Sequence, residues 1–483
     1  MTELLAARIF LAGAVRPGAV AVRGAGEEVV FGEFLHRVRR FSTAVAGMRR
    51  VAVLPTSDVD SLVAVVGAMH AGVSVVLLHR HLPPAHLTHA LALTRPGALV
   101  AATSQHRRLR RMGYEGEIHT ATSLAEQTPL LDGAETAGAL GTATSPRHPA
   151  PLGSRVTPET ELLVGLTSGT TGTPKLFVRD QRSWSTTLDR SDSTFPIAPG
   201  DTVATPGTLD HTHFLYGALH ALTRGATADL RQALTALEAG ATHLYTVPAI
   251  AVDIVRSGSG PFPAVRQVLS SAARWPRTAR AALRGVLPNA EITHFYGASE
   301  LSFVAADHGL GAPDDTAAGE LFDGVDAEIR DGLVHIRSDM LFTGYLTEHG
   351  ITGGPDNGWC TVGDRGVLHG RHLHLHGRAS EMLIRGGLNV EPAEVESALT
   401  ALPGVLEAAC VALPDPRMGE VPAAAIVVTA EAPAAAELRA RLRETLPAPA
   451  VPVRVLRLPA LPRTPRGKVD RAAIGVLLAA ALE

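Results

Sequence analysis

The chain has 483 residues, too many for one ordinary hydrophobic core, so two or more domains are expected. Apolar residues make up 46% and charged residues 19%, the composition of a globular soluble protein and not of a disordered one. Net charge is -3 with no basic block of any length, so nucleic-acid binding has no electrostatic footprint, and Cys360 and Cys410 alone exclude a disulfide scaffold or cysteine-based zinc site and fit a reducing cytoplasm.

The first fifteen residues are apolar, but Glu3 stands where a signal peptide needs positive charge and Arg8 interrupts the run, so an amphipathic first helix is expected. No uncharged apolar run reaches the length of a membrane span, so no membrane insertion is expected. From residue 29 to 102 helix and strand patterns alternate. Helices are expected over 31–46, 59–71 and 84–94, and buried strands over 50–54, 73–78 and 98–102. Such alternation argues for a mostly parallel sheet with helices on both faces. Residues 105–158 are rich in Thr, Ser, Pro and Gly and read as loop and peripheral structure.

The segment Thr167-Ser-Gly-Thr-Thr-Gly-Thr-Pro-Lys175 follows the apolar run 162–166 and precedes Leu176-Phe-Val178. Two β-like segments thus flank a loop of small hydroxyl residues and glycine. Its bare backbone N–H groups, hydroxyls and one ammonium suit a polyphosphate. It is not a P-loop, because Gly169, Gly172 and Lys175 stand at three-residue intervals and Pro174 precedes the lysine.

A second alternating block follows, with helices expected over 184–193 and 214–224 and strands over 201–205, 242–247, 266–270 and 291–295. Two similar α/β blocks in tandem would pack with a cleft between them, where ligands favour the seam. After Gly319 short strands with tight turns, over 319–329, 332–338 and 366–376, suggest a small β subdomain. The main boundary is placed at 377/378. Strands near 405–413 and 424–429 and a helix near 434–446 follow it.

Several segments carry chemistry. Tyr296-Gly-Ala-Ser-Glu300 supplies an aromatic face for a base, Gly297 for close approach, a hydroxyl for phosphate and a carboxylate for Mg²⁺. Asp364 sits between two glycines, where its carboxylate can accept from two vicinal hydroxyls, and Arg378 lies fourteen residues later. Arg385-Gly-Gly-Leu-Asn389 leads into a helix start at Pro392 and Glu394. Pro462-Arg-Thr-Pro-Arg-Gly-Lys-Val-Asp-Arg471 presents Lys468 in a proline-restricted loop. His372, His374 and His376 share one strand face, which is metal-ligand geometry on paper, but no carboxylate or cysteine supports them. Asp210-His-Thr-His213 is expected to line the cleft, with Asp210 or Thr212 as the competing reading of a helix N-cap.

In order and spacing these segments resemble the adenylate-forming superfamily that includes acyl-CoA synthetases, nonribosomal-peptide adenylation domains and firefly luciferase. The likeness runs from about Val29 to Arg471. It implies an α/β fold: a large N-terminal domain (1–377) of two tandem α/β sheet subdomains plus a small β subdomain, then a small mobile α+β C-terminal domain (378–483). It implies that Thr167, Ser168, Gly169, Thr170, Thr171, Gly172 and Lys175 wrap the β- and γ-phosphates of ATP. Tyr296, with Gly297, would stack on adenine, together with the segment Ser270-Ser-Ala-Ala-Arg274 that includes Ala272. Ser299 would touch the α-phosphate, Glu300 would bind Mg²⁺, and Asp364 and Arg378 would hold the ribose. Lys468 would bridge the substrate oxyanion and the α-phosphate, and His211 occupies the place of an aromatic or histidine gate. The C-terminal domain would rotate and offer the face near Gly386-Gly387 to a pantetheine thiol.

Ser299 replaces a commoner threonine, and Ser380 stands at a hinge usually held by Asp or Lys. The polar run 210–213 and only 4% aromatic residues favour a small or polar acid. The implied reaction is adenylation of that acid, then transfer to CoA or a carrier-protein thiol. The alternative is an enzyme with a non-thiol acceptor, such as an ATP-dependent diazotase that activates nitrite for an aryl amine.

Overall fold

A computed structural model describes residues 4–80, 82–127, 156–167, 175–272, 275, 277–308, 317–378, 383–385, 388–415, 418–430, 432–464 and 467–481. The chain is mixed α/β, with a large N-terminal part and a small C-terminal one. The first sheet is ordered, by residue range, 350–352, 344–347, 175–180, 161–167, 74–77, 50–54 and 99–101. Strands Arg50–Leu54, Ser74–Leu77, Leu99–Ala101 and Glu161–Thr167 are parallel, joined by helices Val59–Ala71 and Pro84–Thr94. The helix Val59–Ala71 begins where Asp58 accepts from the Ser61 N–H at 2.7 Å and ends at Gly72, whose φ of 70° a side chain would resist. In helix Phe31–Val45, Phe31, Phe34, Leu35, Val38, Phe41 and Val45 recur at helical spacing and form its buried face.

The second sheet has fourteen strands among the described residues. Its parallel centre comprises Thr202–Ala204, Thr227–Asp229, His243–Thr246, Gln267–Ser270 and Glu291–Ala298. The small β region expected after Gly319 is joined to this centre edge to edge, through Ser302–His308 and Ala317–Leu321. At the other edge, strand Val20–Arg23 pairs parallel with Thr227–Asp229, about two hundred residues away. That strand has four residues, too few to show a period in the sequence.

Two helices, Thr103–Arg111 and Ala121–Glu126, occupy the stretch read as loop, and residues 128–155 lie outside the described set. The first carries Arg107, Arg108, Arg110 and Arg111, so a short basic run does exist. The second is closed by a reciprocal cap between Thr120 and Ser123. The C-terminal sheet is built on the long hairpin of Val405–Asp415 and Gly419–Val428, with its own apolar clusters under helices Pro392–Thr400, Ala435–Thr445 and Arg471–Ala480. Among the described residues, no helix is long and apolar enough to cross a membrane.

Arg50, 3% exposed, reaches Glu161 at 2.6 and 2.7 Å and the Thr94 carbonyl at 3.3 Å, tying two parallel strands across the one between them. Burial opposes the charge on Glu161, but the Arg50 bonds prevail and hold its carboxyl below the ordinary carboxylate range. Glu161→Ala strands the buried guanidinium and should lower unfolding free energy by about 3–5 kcal/mol in urea titrations. For the native protein this contribution is present above the ordinary carboxylate pKa and is lost as pH falls through the depressed one.

Candidate functional site

The strands Glu161–Thr167 and Lys175–Asp180 form an antiparallel hairpin in which Thr167 pairs with Lys175. The loop expected to hold phosphate is therefore anchored at both ends, while Ser168, Gly169, Thr170, Thr171 and Gly172 lie outside the described residues. The Lys175 ammonium stands 5.0 Å from the centre of the Tyr345 ring. The Tyr345 hydroxyl donates to Glu300 Oε1 at 2.9 Å. A side-chain chain thus runs from the phosphate-loop lysine to the carboxylate expected to bind metal.

Tyr296 and Gly297 do not follow the strand, as the sequence pattern suggests, but belong to it: the strand continues through Ala298. On this side it pairs antiparallel with Ser302–His308, and a bulge between Tyr296 and Gly297 shifts the register there. A Cβ on Gly297 would meet the Ser302 carbonyl oxygen at 2.1 Å, which accounts for the glycine. Ser299 and Glu300 lie in the turn. Glu300 is buried, and its carbonyl accepts from the Phe342 N–H at 2.9 Å. One hard carboxylate, oriented by a phenol, fits Mg²⁺, which commonly takes one or two carboxylates together with substrate phosphates.

The Tyr296 hydroxyl donates to Asp364 Oδ2 at 2.5 Å, bringing together residues 68 positions apart. Asp364 is buried at the start of strand Asp364–His369, and it pairs directly across the ladder with Arg378. The two residues expected to hold a ribose are therefore cross-strand neighbours. Ala272 takes φ of 77°, a left-handed conformation uncommon outside glycine and associated with functional turns.

Beside Ala272, the Ser271 hydroxyl lies 3.1 Å from His213 Nδ1, and His213 Nε2 is 2.8 Å from the Thr246 carbonyl. A carbonyl only accepts, so Nε2 carries the proton and Nδ1 accepts from the serine. Burial, with His211 nearby, pulls the His213 pKa down to about 3, so the ring is neutral. Asp210 Oδ2 accepts from the Arg80 N–H at 3.1 Å and lies 3.6 Å from His79 Nε2, facing the first sheet. Neither Asp210 nor Thr212 caps the helix Thr212–Thr223; His211 holds the N-cap position without a side-chain cap. Asp210 and His213 are thus engaged with protein groups. His211, expected as the gate, is half-buried with its ring 5.4 Å from that of Phe214.

Lys468 is exposed on a tight turn. The Thr464 N–H donates to the Lys468 carbonyl at 2.7 Å, and the Gly467 N–H to the Thr464 carbonyl at 2.8 Å. Arg463 ties this turn to the hairpin through Glu407, and Asp470 caps the next helix at Ala473. The lysine is held at a defined place, not on a loose tail. Ser380, Gly386 and Gly387 lie outside the described residues, as does the side chain of Arg378. Among the described residues no group of three or more His, Cys, Asp or Glu is arranged to hold a metal, the 369–376 histidines included.

Sequence reasoning missed Arg179 and Tyr345. The signal for Arg179 was a charge placed directly after the apolar run Leu176-Phe-Val178, on a strand that the pattern already buried.

A family model described as AMP-binding enzyme matches residues 10–346, and one described as AMP-binding enzyme C-terminal domain matches residues 394–468. The uncharacterized acyl-CoA ligase YhfT of Bacillus subtilis (strain 168) is 29% identical over 486 residues, covering 95% of each chain. The amide bond synthetase McbA from Marinactinospora thermotolerans superimposes with a TM-score of 0.81 at 27% identity, covering 98% of this chain and 99% of that one. ATP-bound MatB from Rhodopseudomonas palustris shares the fold over 100% of both chains, with a TM-score of 0.83 at 21% identity.

Tyr296→Phe keeps the ring and removes the bond to Asp364; ATP affinity measured by calorimetry should fall by about three- to tenfold, and by more for Tyr296→Ala. The depressed His213 pKa means that the unfolded chain binds the extra proton first, so its stabilisation is complete above pH 6.5 and is lost as pH falls toward 3. In that window His213→Gln should flatten the dependence of unfolding free energy on pH by up to about 1.4 kcal/mol per unit. An unchanged slope would exclude a neutral, buried His213.

Proposed function

Because the chain belongs to the AMP-binding enzyme family, we propose that it adenylates a small or polar carboxylic acid with ATP, releasing pyrophosphate, and passes the acyl group to CoA or a carrier-protein thiol. The observation that carries this reading is the contact of Tyr296 with Asp364 beside the Ser299–Glu300 turn, which sets a stacking ring against a hydroxyl-binding carboxylate. An acyl-CoA ligase name on a relative covering 95% of both chains supports the thiol acceptor.

In this reading Tyr296 and Ala272 flank adenine, and Asp364 and Arg378 take the ribose hydroxyls. Thr167, Lys175 and the loop between them hold the β- and γ-phosphates, and Ser299 meets the α-phosphate. The substrate carboxylate forms a P–O bond to the α-phosphorus as the bond to pyrophosphate breaks. Mg²⁺ held by Glu300 would offset the charge on the phosphate oxygens. Lys468 offsets the same charge from the other side, in a cleft where such contacts are worth most. The thiol then attacks the acyl carbon, a C–S bond forms, and AMP leaves. Residues 1–377 act as the nucleotide-binding domain and 378–483 as the mobile one that brings Lys468 and withdraws it.

The acid is read as short because the space around His213 is filled by rings: Phe214 at 5.3 Å, Tyr245 at 5.2 Å and Phe295 at 5.7 Å between centres. A second reading keeps the adenylate and changes the acceptor to an amine. It is favoured by the likeness to an amide bond synthetase, and it includes the diazotase case, with nitrite as the activated oxyanion.

The test is incubation with ATP, Mg²⁺ and a panel of acids plus nitrite, following pyrophosphate and AMP with and without CoA or an aryl amine. Acid-dependent AMP that rises with CoA supports the thiol reading, and amine-dependent turnover indifferent to CoA supports the second. No turnover in any arm would sink both. Lys468→Ala should slow adenylate formation by ~10²–10³ while ATP affinity stays near that of the native protein.

A further inference from the structure

Arg179 lies on the strand that begins with Lys175, and it is 3% exposed. A guanidinium taken out of water at that depth carries a large desolvation cost unless it is well satisfied. Among the described residues it has no carboxylate at salt-bridge distance. Its bonds go to neutral oxygens: Nη1 donates to the Ser299 carbonyl at 3.1 Å, and Nη2 to the Ser302 hydroxyl at 2.7 Å and the Met340 carbonyl at 2.8 Å. Nε donates to the Ser183 hydroxyl at 3.1 Å. Burial lowers its pKa to about 10, with the negative fields of Asp180 and Glu300 opposing the fall, so it stays charged at neutral pH.

Three of these four acceptors belong to the turn that carries Glu300 or to the segment that leads to Tyr345. Ser302 closes the turn with φ of 61°, and its hydroxyl also lies 3.0 Å from Thr187 Oγ1. Met340 precedes the segment in which the Phe342 N–H bonds the Glu300 carbonyl and Tyr345 bonds its side chain. Strand periodicity puts Lys175, Phe177 and Arg179 on one face of the strand. One strand therefore begins at Lys175 and holds the turn that carries Glu300.

We propose that Arg179 is a positioning residue that fixes the Ser299–Glu300 turn relative to the strand Lys175–Asp180, so that the Glu300 carboxylate meets a metal ion already held by the nucleotide phosphates. The inference rests on the adenylation reading, and it assigns Arg179 no contact with substrate. A fork that donates to several carbonyls and hydroxyls at once sets the turn's position more tightly than a lysine could.

The experiment measures ATP affinity of the full chain by calorimetry, with Mg²⁺ and with EDTA, and takes the ratio. In the native protein Mg²⁺ should tighten ATP binding. If ATP fails to bind or the ratio is near one, the adenylation reading itself falls. In Arg179→Met the ratio should drop by about tenfold, the effect of losing hydrogen bonds from a charged donor, while affinity in EDTA stays within about threefold of native. A native ratio that survives in Arg179→Met overturns the proposal. So does an equal loss with and without metal, which marks a merely structural role. Should Arg179→Met fail to fold, Ser302→Gly and Arg179→Lys decide the question. Ser302→Gly removes one acceptor and tolerates the positive φ. Both should show a smaller drop in the same ratio with melting temperatures close to native, and an unchanged ratio in both overturns the proposal.

Discussion

Two α/β sheets have to meet at a fixed spacing, because the groups that would handle a nucleotide are divided between them. The phosphate-loop hairpin belongs to the first sheet; Tyr296 and Asp364 belong to the second, and Glu300 to a turn between two of its strands. Arg179 is a buried charge that crosses from one to the other. It does so with hydrogen bonds to backbone and hydroxyl oxygens, whose directions define a geometry that apolar packing alone would leave looser. Smaller contacts work along the same seam. Asp210 accepts from the Arg80 backbone, and the Ser57 hydroxyl donates to the Gly207 carbonyl at 3.0 Å.

Behind the site a cluster of polar side chains is paired. Asp192 receives His220 at 2.9 Å and Arg224 at 2.7 Å, and the same His220 meets the Tyr245 hydroxyl at 2.9 Å. Arg8 on the first helix reaches Asp189 through both terminal nitrogens, so the N-terminal helix is tied to helix Gln181–Ser191. Burial depresses the pKa of His220, and of His70 and His243, in the same direction as that of His213. Histidines held neutral in this way lose stabilising effect as pH falls, so acid weakens these contacts. The backbone on either side of Lys468 is closed by its own hydrogen bonds and tied to its own sheet.

The helices and most strands were legible because each has a local cause. Apolar residues recur at the helical period in 31–45, Asp58 and Gly72 punctuate 59–71, and apolar runs mark 50–54 and 161–167. Where the cause was distant, the pattern was silent or misleading. Strand Val20–Arg23 exists because Thr227–Asp229 offers it an edge. The β region after Gly319 looked separate because nothing in its own residues records that Ala317–Leu321 would pair with Ser302–His308. The run 105–111 read as loop because its charged residues hide a helix with one buried leucine, Leu109.

By itself the sequence determined which chemical groups the protein owns and their order along the chain: a hydroxyl and glycine loop ending in Lys175, an aromatic and acidic turn at 296–300, a carboxylate between glycines at 364, and a lysine on a proline-bounded loop at 468. Spacing and residue type are local properties, so they survive in a linear reading. Only the tertiary structure decided which groups touch. It set the Tyr296 hydroxyl on Asp364, joined Lys175 to Glu300 through Tyr345, buried Arg179 under the turn, and turned Asp210 and His213 toward protein partners. Those contacts depend on strand register and on the packing of one sheet against another. Both are settled by pairings between segments tens to hundreds of residues apart, which no local pattern encodes.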